Sequence, residues 1–177
     1  MSMKTYVITL SRVFPATHPK AGVSTGFAEN VAFKTHLELD KTIGGHRCVQ
    51  GSKLHTIRAN YPLWAKRFEQ IERGEACLSI RQWTGKPYAS KQVEIARLTK
   101  EDGIGLQELT FYKECRLFPA KYTLENFEID GKWHEGNTRM LAENDGLTLA
   151  DWEAWFGNPK YNLSEPMAII HFTKFRY

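Results

Sequence analysis

The sequence predicts an α+β fold: a small antiparallel or mixed β-barrel with two or three short helices packed at its ends. Short runs rich in β-branched and aromatic residues recur between Gly-, Pro- and Asn-containing turns. Few stretches carry helical spacing, and no strand–helix–strand alternation repeats along the chain.

The elements follow in order. "TYVITLSRVF" reads as an opening strand closed by Pro15, and "PATHPKAGVSTG" as a loop. From Phe27 to about Leu39 the spacing is weakly helical, and "KTIGGHRCVQGSK" is Gly-rich and unpatterned. "NYPLWAKRFEQIERG" is the clearest helix: Asn60 caps it, Pro62 fits the first turn, Trp64, Phe68 and Ile71 form one apolar stripe, and Gly74 ends it. "EACLSIRQW" and "SKQVEIARLT", joined by "TGKPY", predict a hairpin, and "LQELTFYK" another strand. Asp130-Gly131 in "FEIDGKWH" is a tight hairpin signal. In "LTLADWEAWFG", Thr148 caps a helix whose stripe is Leu149, Trp152 and Phe156, with Gly157 as the stop. "MAIIHFTKF" reads as a last strand, with Ile169, His171, Thr173 and Phe175 on one face and Ile170 and Phe172 on the other. Trp64 and Trp152 lie on apolar helical stripes and are expected in the core.

A chain of 177 residues with 42% hydrophobic and 25% charged residues suits one domain with its own core. No repeat, low-complexity run or linker divides it, so residues 1–177 are expected to form a single unit. The 24 Lys and Arg exceed the 20 Asp and Glu by four, a mild lean toward anionic partners. Cys48, Cys77 and Cys115 supply neither a disulfide framework nor a paired metal motif, which suits a reducing cytoplasm. "MSMKTYVITLSRVF" is too polar for a signal sequence, and no stretch reaches about 18 apolar residues, so no membrane association is expected. The six histidines, His18, His36, His46, His55, His134 and His171, make no i, i+4 pair on a predicted helix. With no phosphate-loop or dinucleotide motif either, neither metal nor cofactor is expected.

The most informative stretch is "GSKLHTIR". Run extended, it turns Lys53, His55 and Ile57 to one face and Leu54, Thr56 and Arg58 to the other, so Lys53 and Thr56 share a site only across a bend or strand end, which Gly51 permits. Burial would lower the Lys pKa toward a value at which the amine accepts a proton, leaving the Thr hydroxyl as a nucleophile. A surface Lys beside a solvent-facing Thr is the plainer alternative on composition alone.

The pattern Gly51-x-Lys53-x-x-Thr56-x-Arg58, with the helix and Trp64 behind it, resembles the signature of the ASCH domain family of the PUA-like barrel superfamily. Its usual motif is Gly-x-Lys-x-x-Glu-x-Arg, and Thr56 stands at the Glu position, as in a branch similar to the small bacterial N4-acetylcytidine amidohydrolases. That resemblance implies a PUA-like barrel and a working set of Thr, Lys and Glu. A second patch, "LAENDGLTLADWEAWF", resembles the family's acidic loop and following helix, and places Asp145 where those enzymes carry Glu. Asp is one methylene shorter, drawing the carboxylate back by about 1.5 Å, a displacement able to cost about a hundredfold in rate. Glu143 is the alternative carboxylate. The chain is also longer than those enzymes, with extra material near residues 28–50 and 113–137.

The resemblance implies catalytic roles for Lys53, Thr56 and Asp145, with Arg58 holding the carboxylate or the developing oxyanion. It also implies a modified nucleoside or RNA as the partner. Among the aromatic residues, Tyr61, Trp83, Tyr88 and Trp133 lie near strand ends or turns where a ring can stack on a base. Arg81, Lys86, Lys91, Arg97 and Lys100 interleave with Trp83 and Tyr88 on the predicted hairpin, a ribbon that could follow a phosphate backbone, although a solvated strand face has the same pattern and is the plainer alternative. Two functions follow as expectations: amidohydrolysis of an acylated nucleoside, and RNA binding or cleavage without it.

Overall fold

The computed structural model describes residues 3–31, 52–114, 121–158 and 161–177. The architecture is α+β, with eight strands in two sheets and four short helices among the described residues.

The smaller sheet contains β1 (Lys4–Leu10), β3 (Ala76–Trp83) and β4 (Gln92–Leu98) in the order β1-β3-β4. β1 runs parallel to β3, and β3 antiparallel to β4 with a register shift between Ile80 and Arg81. The larger sheet contains β2 (His55–Ala59), β5 (Gly105–Glu114), β6 (Lys121–Ile129), β7 (Lys132–Glu135) and β8 (Met167–His171), in the order β2-β8-β5-β6-β7. All its pairs are antiparallel.

Strand pairing among the described residues leaves the two sheets separate rather than closed into a ring. Helix α2 (Tyr61–Glu72) packs against β3 in one sheet and β5 and β8 in the other. Its buried side chains are the predicted stripe, Trp64, Phe68 and Ile71, and the Asn60 carboxamide accepts from Leu63 N at 3.1 Å. Burial of that face on both sheets makes α2 a keystone of the core, which continues through Ile8, Leu78, Ile80, Leu109, Phe127 and Ile169.

The Asp130-Gly131 turn forms as predicted, with φ of 50° and 76° joining β6 to β7. The Asp130 carboxylate also accepts from Glu108 N and Gln107 Nε2, both at 2.8 Å, tying the turn to β5. Residues 121–135, within the segment expected as added material, supply β6 and β7. Of the weakly helical stretch from Phe27, one turn, α1 (Phe27–Asn30), is described, and the remainder to Leu39 lies outside the described residues.

Two elements differ from expectation. The final strand stops at His171, because the Thr173 hydroxyl accepts from Phe175 N at 3.2 Å and closes a local turn. Phe175 therefore shares no strand face with Ile169. Helix α3 (Thr138–Asn144) was not foreseen: it has no side-chain cap, and five of its seven residues are buried, so packing against α4 (Leu149–Phe156) holds it rather than a capping signal. The α4 cap is the predicted one, with the Thr148 hydroxyl accepting from Asp151 N at 3.2 Å. Trp64 and Trp152 are both buried. No described helix is long and apolar enough to cross a membrane.

Candidate functional site

Lys53 and Leu54 enter β2 through a gap lined by three other segments. Lys53 N donates to Asn30 O at 2.7 Å, Leu54 N to Asn144 O at 2.7 Å, and Phe172 N to Leu54 O at 2.9 Å. Lys53 also forms isolated bridges with Val31 and Asp145. This is the bend the sequence required: Lys53 precedes the strand and Thr56 lies within it, so the two escape strict alternation and line one cavity.

Asp145 follows the last turn of α3, its N–H donating to Leu141 O at 3.0 Å. That position brings its carbonyl and its carboxylate to the same cation. Lys53 Nζ donates to Asp145 O at 2.7 Å and to Asp145 Oδ1, and stands 4.0 Å from the centroid of the Phe27 ring. Lys53 is 1% exposed and Asp145 4% exposed, so this is a fully desolvated pair. Gly146 (φ 76°) makes room for it, since a Cβ there would stand 3.0 Å from Lys53 Cβ.

Burial disfavours charge on both partners. It lowers the Lys53 pKa, an effect that the Asp145 charge and hydrogen bond oppose and Arg58 reinforces. It raises the Asp145 pKa against the opposing pull of Lys53 and Arg58. The two shifts bring the ion pair and its neutral tautomer, amine beside carboxylic acid, closer in energy.

Thr56 is buried in β2 opposite Ile170 of β8 and lines the same cavity. Arg58, two residues on, also lines it, but its guanidinium is committed to backbone: Nη2 donates to Thr9 O at 2.8 Å and Nη1 to Ile57 O at 3.2 Å. It thus spans from β2 to β1, satisfying a carbonyl of a sheet-edge strand, and acts on Asp145 through its charge rather than by direct contact.

The cavity is small, about 20 Å³, enough for a water and closed to a nucleobase. Beside it lies an open groove of about 790 Å³ between the end of β1 and the β3–β4 loop. Leu10 and Ser11 line both. Trp83, Lys86, Tyr88 and Arg12 face the groove, and the Trp83 and Tyr88 rings lie 5.4 Å apart.

The sequence-derived set therefore divides. Lys53, Thr56, Arg58 and Asp145 meet in one cavity, and Trp83 and Lys86 meet in the adjoining groove. Glu143, on α3, lines neither. Tyr61 is half-buried against the core at the start of α2, away from both. Arg81 is turned to its own sheet, with Nε donating to Ser79 Oγ at 2.8 Å and Nη2 3.7 Å from the Glu94 carboxylate, which also pairs with Arg97 at 2.8 Å. Glu94 interrupts the basic ribbon expected on this hairpin. Among the described residues, no group of three or more His, Cys, Asp or Glu side chains is placed to hold a metal ion.

Sequence reasoning missed the layer behind the pair. His55 Nε2 lies 2.7 Å from Tyr177 Oη, and Asn144 Nδ2 donates to the same oxygen at 3.0 Å. His55 Nδ1 is 3.9 Å from Asp145 Oδ1, and the His55 and His171 rings are 5.6 Å apart. Burial holds both histidines well below the usual pKa, with His171 and Lys53 adding to the effect at His55, and Arg176 at His171. Only the proximity of His55 to Lys53 and Thr56 in sequence could have pointed here.

Comparison with known proteins finds no matching family model, no matching curated protein and no matching solved structure. The resemblance to the ASCH family rests on the two motif patches alone.

Proposed function

We propose that this chain is an ASCH-type, nucleoside- or RNA-directed protein, its two sheets the halves of a PUA-like barrel, and that its buried cluster hydrolyses an amide on an acylated nucleoside such as N4-acetylcytidine. The observation that carries the reading is the desolvated Lys53–Asp145 pair sharing a cavity with Thr56.

In the neutral tautomer of the pair, the Lys53 amine takes the proton from Thr56 as its oxygen attacks the acyl carbonyl. The Asp145 carboxylic acid gives its proton to the departing nitrogen as the C–N bond breaks. The pair is then left ionised and Thr56 acylated. Water attacks the ester as the Asp145 carboxylate takes one of its protons, and the Lys53 ammonium returns a proton to the Thr56 oxygen as the acyl bond breaks. Acetic acid leaves, giving its proton to solvent as acetate; the pair is again neutral, and cytidine and acetate are the products. Arg58, fixed by two backbone carbonyls, supplies positive potential to the developing oxyanion without moving. In this reading the base sits in the groove beside Trp83 and Lys86, and the acyl group reaches Thr56 past Leu10 and Ser11, which line both the groove and the cavity.

The test is to incubate the full chain with N4-acetylcytidine and follow cytidine by chromatography, with Thr56→Ala alongside. Turnover lost in a folded Thr56→Ala chain is expected, and undiminished turnover in that variant overturns the mechanism.

The size of the groove favours a second reading, RNA binding or cleavage without amide hydrolysis. Here Lys86 and Arg12 contact phosphate and affinity falls steeply with salt. Absence of cytidine release together with salt-dependent RNA binding selects it, and a binding curve flat across salt removes it.

A further inference from the structure

We propose that Tyr177 is a positioning residue that fixes the tautomer of His55, so that a ring N–H rather than a lone pair faces the Asp145 carboxylate. The geometry runs through three groups. His55 is fully buried, its Nδ1 has no hydrogen-bond partner, and that nitrogen stands 3.9 Å from Asp145 Oδ1. At this distance there is no hydrogen bond, but the sign of the facing atom matters between two buried groups. A lone pair on Nδ1 would oppose the carboxylate, whereas a proton there attracts it.

With the proton on Nδ1, Nε2 must accept, and the Tyr177 hydroxyl at 2.7 Å is placed to donate. Asn144 Nδ2, at 3.0 Å from the same oxygen, donates to the phenol and turns its O–H outward toward His55. Asn144 directly precedes Asp145, and its carbonyl accepts from Leu54 N between Lys53 and His55. The phenol thus contacts the two residues that adjoin Asp145, His55 beside its carboxylate and Asn144 before it in the chain. The other charged or titratable groups near His55 are Lys53, which lines the cavity with Asp145, and His171, whose ring is 5.6 Å away on β8. Neither contacts Nε2 by hydrogen bond. The consequence for hydrolysis rests on the function proposed above: loss of the phenol proton lets His55 turn its lone pair to Asp145 and alters which member of the pair holds the proton.

The deciding measurement is nitrogen NMR of the full chain labelled at histidine, at neutral pH, with the His55 signals assigned through His55→Gln. The Nδ1–H tautomer is expected in the native chain, and loss of that tautomer in Tyr177→Phe. Tyr177→Phe keeps the ring packed on Phe175 and His171, whose centroids lie 4.9 and 5.8 Å away. An Nε2–H tautomer in the native chain, or an unchanged Nδ1–H tautomer in Tyr177→Phe, overturns the inference. Should the variant not fold, fluorinated tyrosine in the native sequence strengthens the donor, and a His55 Nε2 resonance that stays in place overturns it equally. If the chain hydrolyses acylated nucleoside, Tyr177→Phe should lower kcat about tenfold with KM unchanged. The tautomer is read without substrate, so failure of the hydrolase reading and failure of this inference are distinguishable.

Discussion

Asp145 grips the Lys53 ammonium twice, once with its backbone carbonyl at 2.7 Å and once with its carboxylate, across 92 residues of sequence. A buried cation held this way depends on its partner far more than a surface pair does.

Removing one partner should therefore cost more than removing both. Lys53→Met, which leaves the Asp145 carboxylate alone in the core, is expected to lose about 3–5 kcal/mol of stability. The double variant Lys53→Met with Asp145→Leu should recover much of that loss. Urea unfolding of the two variants and the native chain checks it, and a double variant as unstable as the single one would refute it.

The cavity beside the pair depends on Gly146. With φ at 76° and a would-be Cβ only 3.0 Å from Lys53 Cβ, Gly146→Ala carries both a backbone and a contact cost. Gly136 is a control, with φ at 66° and nothing within 4 Å of its would-be Cβ. Gly136→Ala should cost about 1–2 kcal/mol, and Gly146→Ala more. Thermal melts of both give the difference due to crowding of Lys53.

Stability should fall as pH drops below 6.5. His55 and His171 are held neutral by burial, with pKa values well below 6.5 in the folded chain. Between 6.5 and those lower values the unfolded chain binds protons that the folded chain does not, so stability is present above 6.5 and lost as pH falls. The slope approaches about 1.4 kcal/mol per pH unit for each histidine. Asp145, its pKa raised chiefly by burial, acts in the opposite sense as pH falls toward 3.8 and flattens the acid end. Denaturation at several pH values with His171→Phe alongside tests this, since the variant should roughly halve the slope.

In the groove, Trp83 and Lys86 separate by chemistry. If the chain binds RNA, as the second reading proposes, Trp83→Ala is expected to weaken binding of single-stranded RNA by about 1–3 kcal/mol through lost stacking, with little change in salt dependence. Lys86→Ala should reduce the salt slope by about one phosphate contact. Fluorescence titration at low and high salt reads both.

Arg58→Lys tests the link between sheets. A lysine cannot reproduce the planar fork that reaches both Thr9 O and Ile57 O. A loss of about 1.5–3 kcal/mol is expected, and unfolding with unaltered stability would show that the fork contributes nothing.

The elements that were legible are those with local signals. Asn60, Trp64, Phe68, Ile71 and Gly74 mark α2, Asp130-Gly131 marks a turn, and Thr148 marks α4, because capping, turn dihedrals and helical period are written within a few residues. Lys53, Thr56 and Arg58 were legible as a spacing, and Asp145 as a position in a resembling loop. The sequence by itself determined these elements and this short list of candidate groups. Tertiary structure alone decided their partners. It matched Lys53 to Asp145, committed Arg58 to the Thr9 carbonyl, paired Arg81 and Arg97 with the one Glu94 carboxylate, and set Tyr177 behind His55. The physical reason is that strand order and burial act across the whole chain: placing β2 beside β8 removes His55 and His171 from water together, and no local pattern in either segment specifies that neighbour.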